Sequence, residues 1–308
     1  MESELIAWLR EHLPPHPLLR LGAGDDAAVL DMARTDQCVV TVDLLTDGVD
    51  FLLEEADARR VGRKCLAVNL SDIAAMAARP MAAVIALALP REGGMRLAVE
   101  LYEGLLPLAE EFDLAIAGGD TNAWDGPLAV SITVLGQVTD RGPLRRGDAN
   151  SGDRILVTGS LGGSILGRHF DFQPRVKEAL LLAERYDLSA GIDISDGLSI
   201  DLSRLAAESG LGAELTAETI PISDAARRFA EKLSDGSAPL EHALCDGEDF
   251  ELLLAAPPRE AARILNDQPL AVPITDIGRF TDEPGLRQTT ADGTTTPLQP
   301  RGWEHKFD

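Results

Sequence analysis

From Ala56 to Ala78 the alanine, leucine and methionine positions recur at helical spacing, and Pro80 after Arg79 stops the helix they predict. A shorter amphipathic helix opens the chain, with Leu5, Ile6, Leu9 and Leu13 on one face and the Pro14–Pro17 stretch ending it. Apolar runs at Cys38 to Val42 and Met81 to Leu89 read instead as strands, the second of them buried. Met95 to Phe112 is a second long helix, Leu114–Ala117 a strand, and Leu128–Val138 another strand with partial alternation. Further along, the pattern predicts strands at Arg154–Thr158, Ala190–Ile194, Ala213–Leu215, Phe250–Ala255 and Ile274–Phe280. Helices are expected at Val176–Tyr186, Asp201–Ser209 and Ser223–Leu233. Strands and helices mix without strict alternation, so the fold class expected is α+β or mixed α/β.

A chain of 308 residues fits two domains. The Arg-, Gly- and Asp-rich loop from Thr139 to Gly152 is the expected seam, dividing an N-terminal domain, residues 1–142, from a C-terminal one, residues 150–308. Each half holds an acidic turn beside a long helix, which permits an ancient duplication; no short-period repeat occurs. Charged residues at 26% and hydrophobic ones at 45% belong to a globular chain. The longest apolar run, Met81 to Leu89, is far short of the roughly 20 residues that cross a membrane. The first 13 residues lack the basic-then-apolar order of a secretory signal, so a cytoplasmic location is expected, with no membrane partner. A net charge of −23 repels a phosphate backbone and argues against nucleic acid as a partner. Cys38, Cys65 and Cys245 show no CxxC spacing and read as buried free thiols.

The chemistry lies in Asp-centred turns: Gly24-Asp25-Asp26, Val42-Asp43, Asn69-Leu70-Ser71-Asp72, Gly118-Gly119-Asp120-Thr121 and Asp193-Ile194-Ser195-Asp196-Gly197. Any one of them alone is explained by the preference of Asp for turns and caps. Asp72 is not, because it interrupts a helical pattern of small and apolar residues, with no Lys or Arg at Val68, Asn69, Ala75 or Met76. A carboxylate so placed calls for a cation, and several carboxylates without His or Cys select hard ions such as Mg²⁺, Mn²⁺ or Ca²⁺. The turns at Gly118–Asp120 and Gly159–Gly163 could bring backbone N–H groups to phosphate oxygens, although the P-loop, the GxGxxG fingerprint and the protein-kinase HRD and DFG elements are absent. Four of the 28 basic residues are lysines (Lys64, Lys177, Lys232 and Lys306), so a polyphosphate is expected to be neutralised by several Mg²⁺ ions, assisted by Arg146.

Gly24-Asp25-Asp26-Ala27-Ala28-Val29, Thr41-Val42-Asp43, Ala67 to Met76 (AVNLSDIAAM), Gly118-Gly119-Asp120-Thr121, Asp193 to Leu198 (DISDGL) and Gly247 to Leu252 (GEDFEL) together resemble the thiamine-monophosphate kinase family. The six blocks stand in family order, and the NLSDIAAM and DGEDFEL stretches separate the chain from other members of the aminoimidazole ribonucleotide synthetase-like superfamily. The resemblance implies transfer of the γ-phosphoryl group of ATP onto thiamine monophosphate, giving thiamine diphosphate and ADP. It also implies a homodimer in which the N-terminal sheet pairs across the two copies, and a C-terminal α/β domain. By motif position the Mg²⁺ ligands would be Asp26, Thr41, Asp43, Asp72, Asp120, Asp193 and Asp196. Gly119, Asp120, Arg146 and Ser195 would contact ATP, with Tyr102 against the adenine, and Glu248 and Trp303 would hold the thiamine portion. The acceptor is a phosphate oxygen already ionised at neutral pH, so no catalytic base is expected. Trp303 offers a face for ring stacking, with packing of the C-terminal tail as the alternative.

Two positions depart from the family pattern. Asp50 stands near the expected substrate site where the family usually has His, so it is a further substrate-site candidate, and Asp246 stands where a small residue is commoner. His12, His16, His169, His242 and His305 show no ligand spacing and are expected at the surface or as caps. Two other functions fit less well. A synthase of the same superfamily would prefer a nucleophilic Cys, and a nucleotide- or thiamine-binding regulator would have little use for so many costly carboxylates.

Overall fold

The computed structural model describes residues 8–9, 11–21, 29–30, 37–233 and 237–305. The Gly24-Asp25-Asp26 turn therefore lies outside the described residues. Strands β1 (Leu19–Leu21) and β2 (Val29–Leu30) pair antiparallel. The chain falls into two compact units, one within residues 1–73 with 78–140, the other within 74–77 with 141–308.

The first unit is built on β3 (Cys38–Thr46), α1 (Ala58–Ala75), β4 (Arg79–Pro90), α2 (Gly94–Glu111), β5 (Ala115–Trp124) and β6 (Ala129–Gln137). Its sheet runs β3-β6-β4-β5, antiparallel except for the β4–β5 pair that α2 joins as a crossover. Along β6, buried Val130, Ile132 and Val134 alternate with half-exposed Ser131 and Thr133, the two-residue period of a sheet with one covered face. On the uncovered face Val40, Val42, Leu44 and Val84 stay exposed. Helix α1 is buried nearly all round (Cys65, Leu66, Leu70, Ile73), which is why its sequence reads as apolar on every face. A Cβ on Gly62 would collide with the carbonyl of Leu101, and one on Gly104 with that of Arg59, so these two glycines let α1 and α2 touch backbone to backbone.

The second unit holds β7 (Arg154–Thr158), α3 (Arg168–Asp171), α4 (Val176–Arg185), β8 (Ala190–Asp193), α5 (Leu198–Glu208), β9 (Gly212–Thr216) and α6 (Asp224–Leu233). It continues with α7 (Pro239–Cys245), β10 (Leu252–Ala256), α8 (Pro258–Asp267), β11 (Ile274–Thr281), β12 (Gly285–Thr289) and β13 (Thr295–Leu298). Its seven strands run β13-β12-β9-β11-β7-β10-β8 and are antiparallel except for β12 beside β9. Strands β8 and β10 are buried along their whole length, and Ile155, Val157, Ile192, Leu198, Leu202, Leu253 and Phe280 form the core beneath α5. The mixed α/β class expected from the pattern is the class observed. Among the described residues no helix is long and apolar enough to cross a membrane. Of the cysteines only Cys65 is buried; Cys245 is half-buried, and Cys38 is exposed on strand β3, which among the described residues has no neighbour on its outer side.

Candidate active site

In the first unit, Thr41 and Asp43 lie two residues apart on β3 and so share a face, the one turned toward α1. Helix α1 presents Asp72 to them, and the Thr41 hydroxyl donates to Asp72 Oδ2. Asp43 Oδ2 is buried and has no hydrogen-bond partner among the described residues. Burial first, then the neighbouring charges of Asp72 and Asp50, push the Asp43 carboxyl from its ordinary 3.8 up to about 7. An orphaned buried oxygen beside a second carboxylate and a threonine is a hard-oxygen donor set, and a divalent cation fits its chemistry. The cage is open as it stands: no three His, Cys, Asp or Glu side chains among the described residues close around one point.

Sequence reasoning missed Lys64. It is buried to 0% exposure on α1, and its Nζ donates to the Asp50 carbonyl at 2.8 Å. Looking for basic residues one helical turn from Asp72 overlooked a cation two turns away. The available signal was a lone lysine on an otherwise apolar helix face. Asp50 is committed to its own turn, its Oδ2 accepting the Thr46 N–H at 2.7 Å. The adjacent Cys65 thiol is pushed up to about 12 by burial, which makes it a poor nucleophile.

Other candidates in this unit stand apart. Asp120 lies on β5, at the opposite edge of the sheet from β3, and pairs in register with Ala86 on the uncovered face. Within one chain it meets neither Asp43 nor Asp72. Gly119 is required by packing, since a Cβ there would strike the carbonyl of Ile85. Tyr102 is 3% exposed on α2, edge-on to Trp8 at 6.2 Å, and burial raises its phenol.

In the second unit Asp193 ends β8, buried, and the chain turns through Ser195 and Asp196 into α5. Asp201, one turn into the helix, accepts the N–H groups of Asp196 and Gly197 at 3.0 and 3.1 Å. Arg204 reaches back to Asp196 Oδ2 at 2.5 Å and Asp201 Oδ1 at 2.8 Å. Burial and the Asp196 charge lift Asp201 to about 6. Two distant segments dock on this turn: Glu248 N–H donates to the Ser195 carbonyl at 2.6 Å, and Trp303 N–H to the Asp196 carbonyl at 2.9 Å. The tail is held further by Arg301 N–H on Ser199 Oγ at 3.0 Å. The Trp303 backbone is thus packed, while the residue as a whole stays 53% exposed. Ser195, Asp196, Glu248 and Trp303 are therefore neighbours. Arg146 is exposed in a short 3₁₀ turn, and its carbonyl accepts Ser209 Oγ at 2.7 Å.

The stretch from Asp246 to Glu251 is mostly internal bracing. Asp249 accepts Gly162 N–H at 2.8 Å and Ser164 Oγ at 2.5 Å, while Asp246 accepts Gly163 N–H at 2.9 Å. The glycine-rich turn at 159–163, expected to cradle phosphate, has given these N–H groups to carboxylates, and a Cβ on Gly162 or Gly163 would crowd backbone at 2.7 and 2.5 Å. Glu251 is clasped by Arg168, by Arg175 at 2.7 and 2.8 Å, and by Thr158 Oγ1 at 2.7 Å. His169 and His242 correct the surface expectation. They are 5% and 6% exposed, and their Nδ1 atoms face Glu248 Oε2 at 2.9 Å and Asp246 Oδ1 at 3.1 Å. Each carboxylate supplies the partner that makes a buried imidazole tolerable. His12 faces the carbonyl of Trp8 one turn before it, His16 reaches Asp113 across the sequence, and His305 is exposed.

Two units of this architecture, with acidic turns on both, define a protein of the AIR synthase related class. The description "AIR synthase related protein, N-terminal domain" matches residues 24–138 and its C-terminal counterpart residues 144–289. Within that class the chain belongs to the thiamine-monophosphate kinase family. It is 46% identical over 312 residues to the thiamine-monophosphate kinase of Rhodopirellula baltica, covering 99% of this chain and 97% of the relative. The crystal structure of thiamine-monophosphate kinase from Stenotrophomonas maltophilia K279a superposes with a TM-score of 0.77 at 35% identity, over 94% of this chain and 95% of that one. AaThiL complexed with AMPPCP and TMP superposes with the same score, 0.77, at 27% identity, over 99% and 96% of the two chains.

Proposed function

We propose that this chain transfers the γ-phosphoryl group of ATP directly to the phosphate of thiamine monophosphate, releasing ADP and thiamine diphosphate. The observation that carries a metal-assisted transfer is the buried Asp43 oxygen without a hydrogen-bond partner beside Asp72 and Thr41, a donor set that bears its full negative charge only when a cation offsets it. Family membership and the AMPPCP–TMP complex of a relative at 27% identity support the two substrates. Thr41, Asp43, Asp72, Asp120, Asp193 and Asp196, with Asp26 from outside the described residues, are the residues that would hold several Mg²⁺ ions. Bound there, Mg²⁺ supplies neutralisation of two polyanions that would otherwise repel each other.

The chain's own groups then orient the reactants. Gly119, Asp120, Arg146 and Ser195 are assigned to ATP, with Tyr102 assigned to the adenine side. Glu248 receives the aminopyrimidine N–H groups, the exposed Trp303 ring stacks on the thiamine, and Asp50 shapes the acceptor side through its turn. No side chain has to remove a proton, because the attacking phosphate oxygen is already ionised. We also assign a homodimer and a cytoplasmic location. The exposed Val40, Val42 and Leu44 on strand β3 support pairing of two N-terminal sheets.

The test is incubation with ATP, MgCl₂ and thiamine monophosphate, with the thiamine phosphates separated as fluorescent thiochromes. Magnesium-dependent thiamine diphosphate with equal ADP is the expected result; ATP binding without product would sink the assignment.

A further inference from the structure

Glu248 is built into the structure twice, once through its backbone and once through its side chain. Its φ of 67° and that of Phe250, 50°, are left-handed values that ordinary residues avoid. They are held by N–H donation from Glu248 to the Ser195 carbonyl at 2.6 Å and from Phe250 to the Ile194 carbonyl at 2.8 Å. That fixes the Cα, but a glutamate side chain still has three torsions free to turn. The buried His169 Nδ1, 2.9 Å from Glu248 Oε2, fixes the rest.

His169 is itself packed in place, at 5% exposure. Its ring lies 4.0 Å from that of Phe170, and the preceding Arg168 anchors α3 through the Ser160 carbonyl at 2.7 Å and through Glu251. A neutral imidazole facing a carboxylate carries its proton on the facing nitrogen, so Nδ1 is the donor. Four carboxylates tie the 246–251 stretch to its surroundings, and three of them, Asp246, Asp249 and Glu251, already brace it. Glu248, with its side chain 30% exposed, is the most open of the four; Asp246 is at 23%, Asp249 at 0% and Glu251 at 1%. A brace has no need to reach solvent, whereas a carboxylate that meets a ligand does.

We propose that His169 is a positioning residue for acceptor recognition: its Nδ1–H holds the Glu248 carboxylate in the orientation that meets the amino group of the substrate's aminopyrimidine ring. The proposal rests on the assignment of Glu248 to the thiamine portion. The carboxylate is set before the substrate arrives, so binding the acceptor freezes fewer rotamers. ATP recognition does not depend on this pair.

The experiment compares His169→Asn, His169→Gln and His169→Phe with the parent protein, measuring KM for thiamine monophosphate, KM for ATP, kcat and melting temperature. Asparagine places its amide N–H close to where Nδ1 was, and glutamine places its own close to Nε2. His169→Asn should therefore stay near the parent. His169→Gln and His169→Phe should raise KM for thiamine monophosphate about tenfold, the loss of one charge-assisted hydrogen bond, with KM for ATP unchanged. Glu248→Gln should raise the same KM, and adding His169→Phe to it should make it no worse. If Glu248→Gln raises KM while His169→Gln and His169→Phe do not, the positioning role is wrong and Glu248 recognises the acceptor unaided. If Glu248→Gln leaves KM unchanged, the underlying assignment of Glu248 is wrong, and the proposal goes with it. Equal losses toward both substrates in all three His169 variants, with a lowered melting temperature, would make His169 a structural brace and overturn the proposal.

Discussion

Replacing Asp43 with asparagine keeps the size of the side chain and removes a charge that burial, Asp72 and Asp50 all disfavour. The carboxyl titrates near about 7 in the fold and at its ordinary 3.8 when unfolded. Between those values the folded chain keeps a proton that the unfolded chain has released, so stability falls as pH rises through the window and levels off above it. About three pK units at 1.36 kcal/mol each set a ceiling of about 4 kcal/mol, and the solvent that still reaches the site lowers the expected effect to about 2–4 kcal/mol. Urea unfolding in EDTA should therefore show Asp43→Asn close to the parent at about pH 3, below both values, and more stable than it by that amount at pH 8. Asp249, raised to about 7, and Asp201, raised to about 6, are present in both proteins and cancel in the difference. Adding Mg²⁺ at pH 8 should stabilise the parent and much less the variant, which should also have lost turnover. A stability difference that is the same at both pH values would refute the claim that Asp43 is held in a site unable to bear its charge alone.

Two further outcomes follow from the geometry. Glu251→Gln leaves Arg168 and Arg175 facing each other in a site where the glutamate is 1% exposed, and should lower unfolding stability by about 3–5 kcal/mol; a loss below about 1 kcal/mol would mean the pair is solvated. If the proposed dimer pairs through this face, Val42→Lys on β3 should move the sedimenting mass from twice 32.9 kDa toward 32.9 kDa without altering the circular dichroism; a parent at twice 32.9 kDa with an unchanged variant would remove this face from the proposed dimer.

The elements best read from residue order were those whose pattern is set by their own burial. Strand β7 has the bounds the apolar run predicts, Arg154–Thr158, and α1 ends at Ala75 where the pattern carried it to Ala78. Strand β5 was cut short at Ala117 because its second half, Gly118 to Trp124, is polar and exposed and takes its strand form from pairing with β4. Helices α7 and α8, which begin at Pro239 and Pro258, were not among the expected elements, although proline at a helix start is well tolerated. Strands β12 and β13 carry mostly polar side chains and extend the sheet from β9, which no local pattern announces.

The same division runs through the site. Residue order alone determined the mixed α/β class, the family and the acidic character of the chemistry, because hydrophobic period and motif identity are properties of neighbours along the chain. Only the tertiary structure decided that Lys64 lies buried beside Asp50, that the 159–163 turn is filled by Asp246 and Asp249, and that His169 faces Glu248 across 79 positions of sequence. It also decided that Asp120 shares neither face nor edge with Asp43. Whether a charge is buried, and against which partner, depends on residues that folding brings together from far apart, and no spacing along the chain records that.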